Sequence, residues 1–428
     1  MPLDLIAAAQ QLIAADTVSA HGNLAIVAPL KGYAAQLGLS LRVLEADVDG
    51  VRHANLLFEI PGGTTADPLL LLTHTDTVAP GPLDRWTQTT PFAAKLDGDK
   101  LYGLGSADVK TDLLCKLLAL ERLKAVRLTR GVFVLGTYAE EIGLLGAKRF
   151  AEEGPVKPRF VVCGEPSELT IIHAHKGYLV ARVTLGEGAV SPGPATTRTQ
   201  TFAGKAAHSS TPHLGENAIV KALRALPAGV ISIHGGQGAN SVPATCRIEI
   251  ADGSLTALPL AEASYLIDRF SALVEAQVPQ RDDRFAPGAA VSNVGFIEGR
   301  DGCLELWLDA RLLPGHDPTA LAAAFEAEVL KLSGRVRFER ANRAMSTPPS
   351  SPLCHAAQRA SAELGLDATL HTKATNTEAA AFVGKADAIV FGAGPSIGNA
   401  HCANEYTLVS QLAKATDWYE RLARDLCV

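Results

Sequence analysis

Excess positive charge, long apolar runs and paired cysteines are all missing from this 428-residue chain, and each absence removes a class of function. Lys and Arg number 39 against 45 Asp and Glu, a formal net charge of −6. No general field draws the protein to a phosphate backbone or an anionic membrane, so nucleic acid is not an expected partner. No apolar stretch approaches the roughly 20 residues of a membrane-spanning helix. The opening Met1-Pro2-Leu3-Asp4-Leu5-Ile6 has neither the basic flank nor the cleavage site of a signal peptide, which leads to the expectation of a cytoplasmic protein with no membrane partner. The seven cysteines, at 115, 163, 246, 303, 354, 402 and 427, are odd in number and include no Cys-x-x-Cys pair. A disulfide framework is therefore not expected, and Cys163 and Cys402 read as small packing residues. No repeat of fixed period is visible.

What is present is ordinary globular composition, 47% hydrophobic and 20% charged, in a chain long enough for two or three domains. Leu5–Ala14 reads as a helix. Leu69–Leu72, Gly131–Thr137 and Phe160–Cys163 are short apolar runs ending in polar residues, the pattern of buried central strands. Leu113, Leu114, Leu117, Leu118 and Leu120 recur at helical spacing, so Asp108 precedes a helix. From Tyr178 the pattern alternates, and Gly186–Thr199 reads as a surface loop. Helices near 217–226 and 319–332 and strands near 246–250, 303–308 and 336–339 follow. The Pro-Pro-Ser-Ser-Pro stretch at 348–352 reads as a return linker to a helix near 353–364, a strand at 388–391 and a final amphipathic helix. The expected fold class is α/β: a central mixed sheet with helices on both faces, over 1–177 and 346–428, interrupted by a smaller inserted α+β lid or dimerisation domain over 178–345.

The chemistry-bearing residues fall at the ends of the expected strands, where open α/β sheets hold ligands. His74-Thr75-Asp76 pairs an imidazole with a carboxylate that can orient it. Asp108 follows a glycine-containing approach, and alone would serve equally as a helix N-cap. Glu140-Glu141 follow an apolar strand, where two adjacent acids need cations or protons to compensate them. Glu165 and His401 end the next strand and the last one, and each alone reads as a turn residue. Together His74, Asp108, Glu141, Glu165 and His401 offer the nitrogen and oxygen donors that zinc accepts.

Thr73–Val78, Gly103–Lys110, Glu140–Gly143, Gly164–Ser167, Gly204–Ser210, Leu313–Gly315 and Ala400-His401, in this order, resemble the acetylornithine deacetylase and succinyl-diaminopimelate desuccinylase family of co-catalytic zinc amidohydrolases over nearly the whole chain. The resemblance implies two zinc ions, replaceable by cobalt. Asp108 would bridge them, His74 and Glu165 would complete one site, and Glu141 with His401 the other. It further implies Glu140 as general base toward a shared water, Asp76 as the orienter of His74, and His208 as a donor to the tetrahedral oxyanion, often across a dimer. Arg311 and Asn240 resemble positions that hold the substrate carboxylate, with structural roles an equal alternative. The implied partner is a small N-acyl amino acid, and the implied assembly a homodimer through the inserted domain.

Thr111-Asp112 depart from the family's Gly-rich helix start, Gly186–Thr199 resembles an insertion, and the stretch from Asn240 to Arg311 is long. His175-Lys176-Gly177, and Thr377-Glu378-Ala379 followed by Gly392–Ile397, resemble the acetylornithine deacetylase branch. Glu378 could pair with a cationic substrate side chain or serve as a structural hydrogen-bonding group. The expected reaction is hydrolysis of N-acetyl-ornithine to ornithine and acetate. N-acetylcitrulline deacetylation, succinyl-diaminopimelate desuccinylation and other N-acyl-amino-acid or dipeptide hydrolysis remain alternatives, as does a catalytically silent relative that binds amino-acid derivatives. A nucleotide-binding reading fails because neither Gly103-x-Gly105 nor Gly392-x-Gly394 completes the fingerprint.

Overall fold

The four-leucine run at 69–72 needs apolar surroundings on both sides, and a computed structural model, which describes residues 3–60, 66–188, 196–251 and 258–428, supplies them. Leu69 and Leu71 enter one hydrophobic cluster, with Leu12, Leu113, Leu117, Trp418 and Leu422. Leu70 and Leu72 enter a second, with Phe150, Ala147 and Phe382. Alternate side chains of one strand thus face helices on opposite sides of the sheet, which is why the run is continuous rather than alternating.

Contacts divide the chain into two units. The first comprises Met1–Ala174, Met345–Thr372 and Thr377–Val428. Its sheet runs in the order Ser40–Val48, Val51–Glu59, Val132–Thr137, Leu69–His74, Phe160–Cys163, Asp387–Val390, Ile171–His175 and Met345–Ser346, with Leu370–Lys373 paired to Ile171–His175. The four strands from Val132–Thr137 to Asp387–Val390 are parallel neighbours. They end together, so the residues after Thr137, His74, Cys163 and Val390 emerge along one edge of the sheet. The first two strands, an antiparallel hairpin, lie beyond what the apolar runs indicate: Ser40–Val48 is an edge strand and contains no fully buried residue.

The second unit comprises His175–Ala344 with Lys373–Asn376. Among the described residues, seven antiparallel strands, in the order Thr197–Ala203, Thr245–Ala251, Val230–Gly236, Val291–Arg300, Cys303–Leu312, Gly177–Leu185 and Arg335–Asn342, form its sheet. Leu179, Ala181, Val183 and Leu185 turn one face toward Ala218–Arg224, Leu260–Glu275 and Pro318–Lys331. Pro318 stands at the helix start beside Asp317, whose carboxylate accepts from the Thr319 and Ala320 amides, a capping arrangement written directly in the sequence. Of the expected Gly186–Thr199 loop, residues 189–195 lie outside the described residues, and Thr197 already belongs to the edge strand Thr197–Ala203. Its threonines have the β-branched shape that favours a pleated edge. Cys163 packs in the core, whereas Cys402 is exposed and has no packing role. No helix among the described residues is long and apolar enough to cross a membrane.

The centre of the first core is Trp418, stacked on Phe391 at 3.7 Å and 9° with its indole N–H donating to Ser361 Oγ at 2.9 Å. Trp418→Ala removes that stack and opens a cavity between helix and sheet. The expected loss is about 3–5 kcal/mol, measured by urea unfolding; a loss below about 1 kcal/mol would mean that this contact does not anchor the helix Val409–Cys427.

Candidate metal centre

His74 is the last residue of its strand and pairs in register with Thr137 on the neighbouring parallel strand. Glu140-Glu141 follow Thr137 after a short turn, and Glu165 follows Phe160–Cys163 after a single glycine. Asp108 comes just before the helix Lys110–Leu123. His401 lies in the segment after Asp387–Val390, with its backbone in the left-handed region at φ 60, a conformation that non-glycine residues adopt mainly where surrounding structure imposes it.

Asp108 joins the two histidines. Its Oδ1 is 3.1 Å from His74 Nε2 and its Oδ2 is 3.2 Å from His401 Nε2; His401 Nε2 is also 3.1 Å from Glu141 Oε1. Two overlapping groups result, His74 with Glu140 and Glu141, and Asp108 with Glu141 and His401, each with one donor atom per residue inside 4.8 Å. Glu165 belongs to neither group; it is buried at 7% exposure, beside Gly164, whose amide donates to the Leu72 carbonyl.

The electrostatics follow from burying acids beside imidazoles. Burial pulls the His74 pKa down, but Asp108, with Glu140 and Asp76, lifts it well above the ordinary value. His401 is likewise lowered by burial and raised by Glu141 and Asp108, with the balance at about 12. Burial would raise Asp108, yet the two imidazoles hold it far below the usual carboxylate range. A carboxylate shared between two ring nitrogens, ringed by further acids, is a donor set that fits two divalent cations.

Asp76 acts differently from the simple expectation. His74 Nδ1 lies 3.1 Å from the Asp76 backbone carbonyl, and the Asp76 carboxylate is farther away, at 3.8 Å. That carboxylate instead accepts from the Glu140 amide at 3.1 Å, the Glu141 amide at 3.3 Å and Ser19 Oγ at 2.6 Å. One residue therefore orients the imidazole through its main chain and pins the Glu140-Glu141 turn through its side chain. Glu378 is also placed differently from a pocket carboxylate. It is fully buried, its Oε2 accepts from Thr137 Oγ1 at 2.9 Å, and burial pushes it up to about 8. That placement fits the interior hydrogen-bonding alternative for Glu378.

Sequence reading missed Ser19 and Glu405. Glu405 accepts from the amides of Gly105 at 3.2 Å, Ala107 at 2.8 Å and Asp108 at 2.9 Å, fixing the loop that presents Asp108. Its only local signal is an acid four residues after His401.

His208, Asn240 and Arg311 belong to the second unit and converge on Ser209. The Ser209 amide donates to the Asn240 carbonyl, and Arg311 Nη2 donates to Ser209 Oγ at 3.2 Å. The Arg311 guanidinium lies 3.6 Å above the Tyr178 ring, with Nε 3.4 Å from Asp309 Oδ2. Exposed His208 receives the Ser210 amide on Nδ1 at 3.1 Å, which puts the proton of the neutral ring on Nε2 and makes that atom a donor.

Neighbouring acids raise both His74 and His401, so a metal entering here competes with protons for the ring nitrogens. Chelator-stripped protein is expected to release protons on loading with zinc, with affinity weakening as pH falls. Titration calorimetry in buffers of different ionisation enthalpy reads this release; loading with no proton release would contradict the described electrostatics.

The model of the family "Peptidase family M20/M25/M40" matches residues 70–425. An acetylornithine deacetylase of Proteus mirabilis is 32% identical over 304 residues, 64% of this chain and 72% of the relative; one from Erwinia tasmaniensis is 31% identical over 305 residues, 64% and 73%. Among solved structures, an M20 family metallo-carboxypeptidase from Sulfolobus solfataricus superimposes with a TM-score of 0.66 at 19% identity, covering 98% of each chain. An aminoacylhistidine dipeptidase from Vibrio alginolyticus gives 0.65 at 16% identity, covering 98% and 96%. The chain is a metal-dependent amide hydrolase and belongs to peptidase family M20/M25/M40.

Proposed function

We propose that the protein hydrolyses N-acetyl-ornithine to ornithine and acetate on two zinc ions, one held by His74, Asp108 and Glu165 and the other by Asp108, Glu141 and His401. The observation that carries this reading is the Asp108 carboxylate spanning His74 and His401; the choice of substrate draws support from the acetylornithine deacetylase relatives. A bound divalent ion supplies a Lewis acid that polarises a carbonyl oxygen and lowers the pKa of water. Glu140, held through its amide by Asp76, removes a proton from the attacking water. The water oxygen bonds to the acetyl carbon, the carbon–nitrogen bond breaks, and Glu140 returns the proton to the leaving amine. His208 Nε2 donates to the developing oxyanion. Arg311, braced by Tyr178 and Asp309, offers its fork to the substrate carboxylate, with Asn240 beside it.

Residues 1–177 with 346–428 would form the catalytic domain, and 178–345 a lid and homodimer contact. A cytoplasmic location, in arginine biosynthesis, is part of the same proposal.

The test is amine release from N-acetyl-ornithine, N-acetylcitrulline and N-succinyl-diaminopimelate by protein stripped with chelator and reloaded with zinc or cobalt. Metal-dependent turnover of N-acetyl-ornithine is expected, and Glu140→Gln should keep its metal while kcat falls about 10²–10⁴-fold. Preference for either other substrate would reassign the branch. Loaded protein inactive on all three would favour a silent relative, and full activity in Glu140→Gln would remove it as the base.

A further inference from the structure

Below the candidate metal centre lies a buried ion pair that the proposed reaction does not use. Lys116 and Asp112 are one helical turn apart, 0% and 1% exposed, with Nζ 2.7 Å from Oδ2. Their other hydrogen bonds run to the elements that carry the candidate ligands. Lys116 Nζ donates to the Leu72 carbonyl and to Thr73 Oγ1, both at 2.5 Å, and His74 is the next residue. Asp112 Oδ2 accepts from Thr73 Oγ1 at 2.9 Å. Asp112 Oδ1 lies 2.6 Å from the Tyr419 hydroxyl, which is also 2.9 Å from the Phe391 carbonyl, at the start of the segment leading to His401. The Leu72 carbonyl that receives Lys116 also receives the Gly164 amide at 2.7 Å, next to Glu165.

The glycine shows how closely the strand end approaches the pair. A Cβ at Gly164 would lie 2.1 Å from Asp112 Oδ2, 2.4 Å from Lys116 Nζ and 2.7 Å from Thr73 Oγ1. Asp112 is itself one turn beyond Asp108 on the same stretch of chain. A buried pair is a weak source of net stability compared with apolar side chains of similar volume, but directional bonds in a dry interior fix the groups they join.

We propose that Asp112 and Lys116 are positioning residues for the metal centre: their shared network sets the spacing of His74, Asp108 and Glu165 and so determines metal affinity and coordination geometry. The inference rests on the reading that those residues hold divalent metal.

The experiment uses the full chain, stripped and then titrated with Co²⁺, following both affinity and the visible absorption of the bound ion. The double variant Asp112→Leu/Lys116→Met removes both charges together and strands neither, and Tyr419→Phe removes a single hydroxyl from Asp112. The double variant is expected to keep its circular dichroism and a melting temperature close to wild type while Co²⁺ affinity falls roughly 10–100-fold and the absorption bands shift. Tyr419→Phe should show a smaller loss in the same direction. A folded double variant with wild-type affinity and spectrum overturns the proposal, since a purely structural pair would change melting alone. Should the double variant not fold, unchanged affinity and spectrum in Tyr419→Phe overturn it. A wild-type chain that takes up no Co²⁺ removes the metal reading and this inference together; a wild type that binds Co²⁺ beside an unaffected variant removes this inference only.

Discussion

One carboxylate held between two imidazoles is the constraint around which the first unit is built. Asp108 is only 8% exposed, and an ion so far from water requires compensation from every direction. His74 and His401 supply it. Glu405 fixes the loop that carries the Asp108 carboxylate by accepting from the Gly105, Ala107 and Asp108 amides. Further acids at the same edge, Glu140, Glu141 and Glu165, would repel one another without cations. Asp76 shows how the scaffold handles this: its carboxylate is engaged by two amides and a serine hydroxyl, so the turn carrying both glutamates is fixed through its main chain.

Parallel strands make the arrangement possible. Because Leu69–His74 lies between Val132–Thr137 and Phe160–Cys163 in parallel register, three successive strand ends deliver an imidazole, a pair of acids and a further acid along one edge. Hydrophobic burial on both faces fixes those ends in place. A strand slip of one residue would exchange the two clusters that Leu69 and Leu70 enter, so the positions of His74, Glu140 and Glu165 are secured by the same leucines that form the core.

That linkage explains what was legible in the sequence. A run buried on both faces is continuously apolar, and its end is marked by the first polar residues, so the strands and their terminal His74, Glu140-Glu141 and Glu165 could be read locally. The helix beginning near Asp108 was legible from its leucine spacing. The edge strand Ser40–Val48 was not, because its half-exposed residues mix charged and apolar side chains without a clear pattern. Nor were the supporting bonds. Glu405 lies almost 300 residues from the amides it receives, and Ser19 and Tyr419 meet their partners only through tertiary structure. Thr111-Asp112 stood out as an unusual helix start, but sequence alone could not show that Asp112 faces Lys116 beneath His74. Glu378 illustrates the same limit in another way: its burial and its bond to Thr137 Oγ1 are visible only in three dimensions.

Asp108 is proposed to be common to two metal positions. Elemental analysis of zinc-loaded wild type and Asp108→Ala, alongside Glu141→Ala, tests it most directly. Two zinc ions per wild-type chain, one or fewer in Glu141→Ala, and none retained by folded Asp108→Ala are expected. Two zinc ions still bound to Asp108→Ala would contradict it.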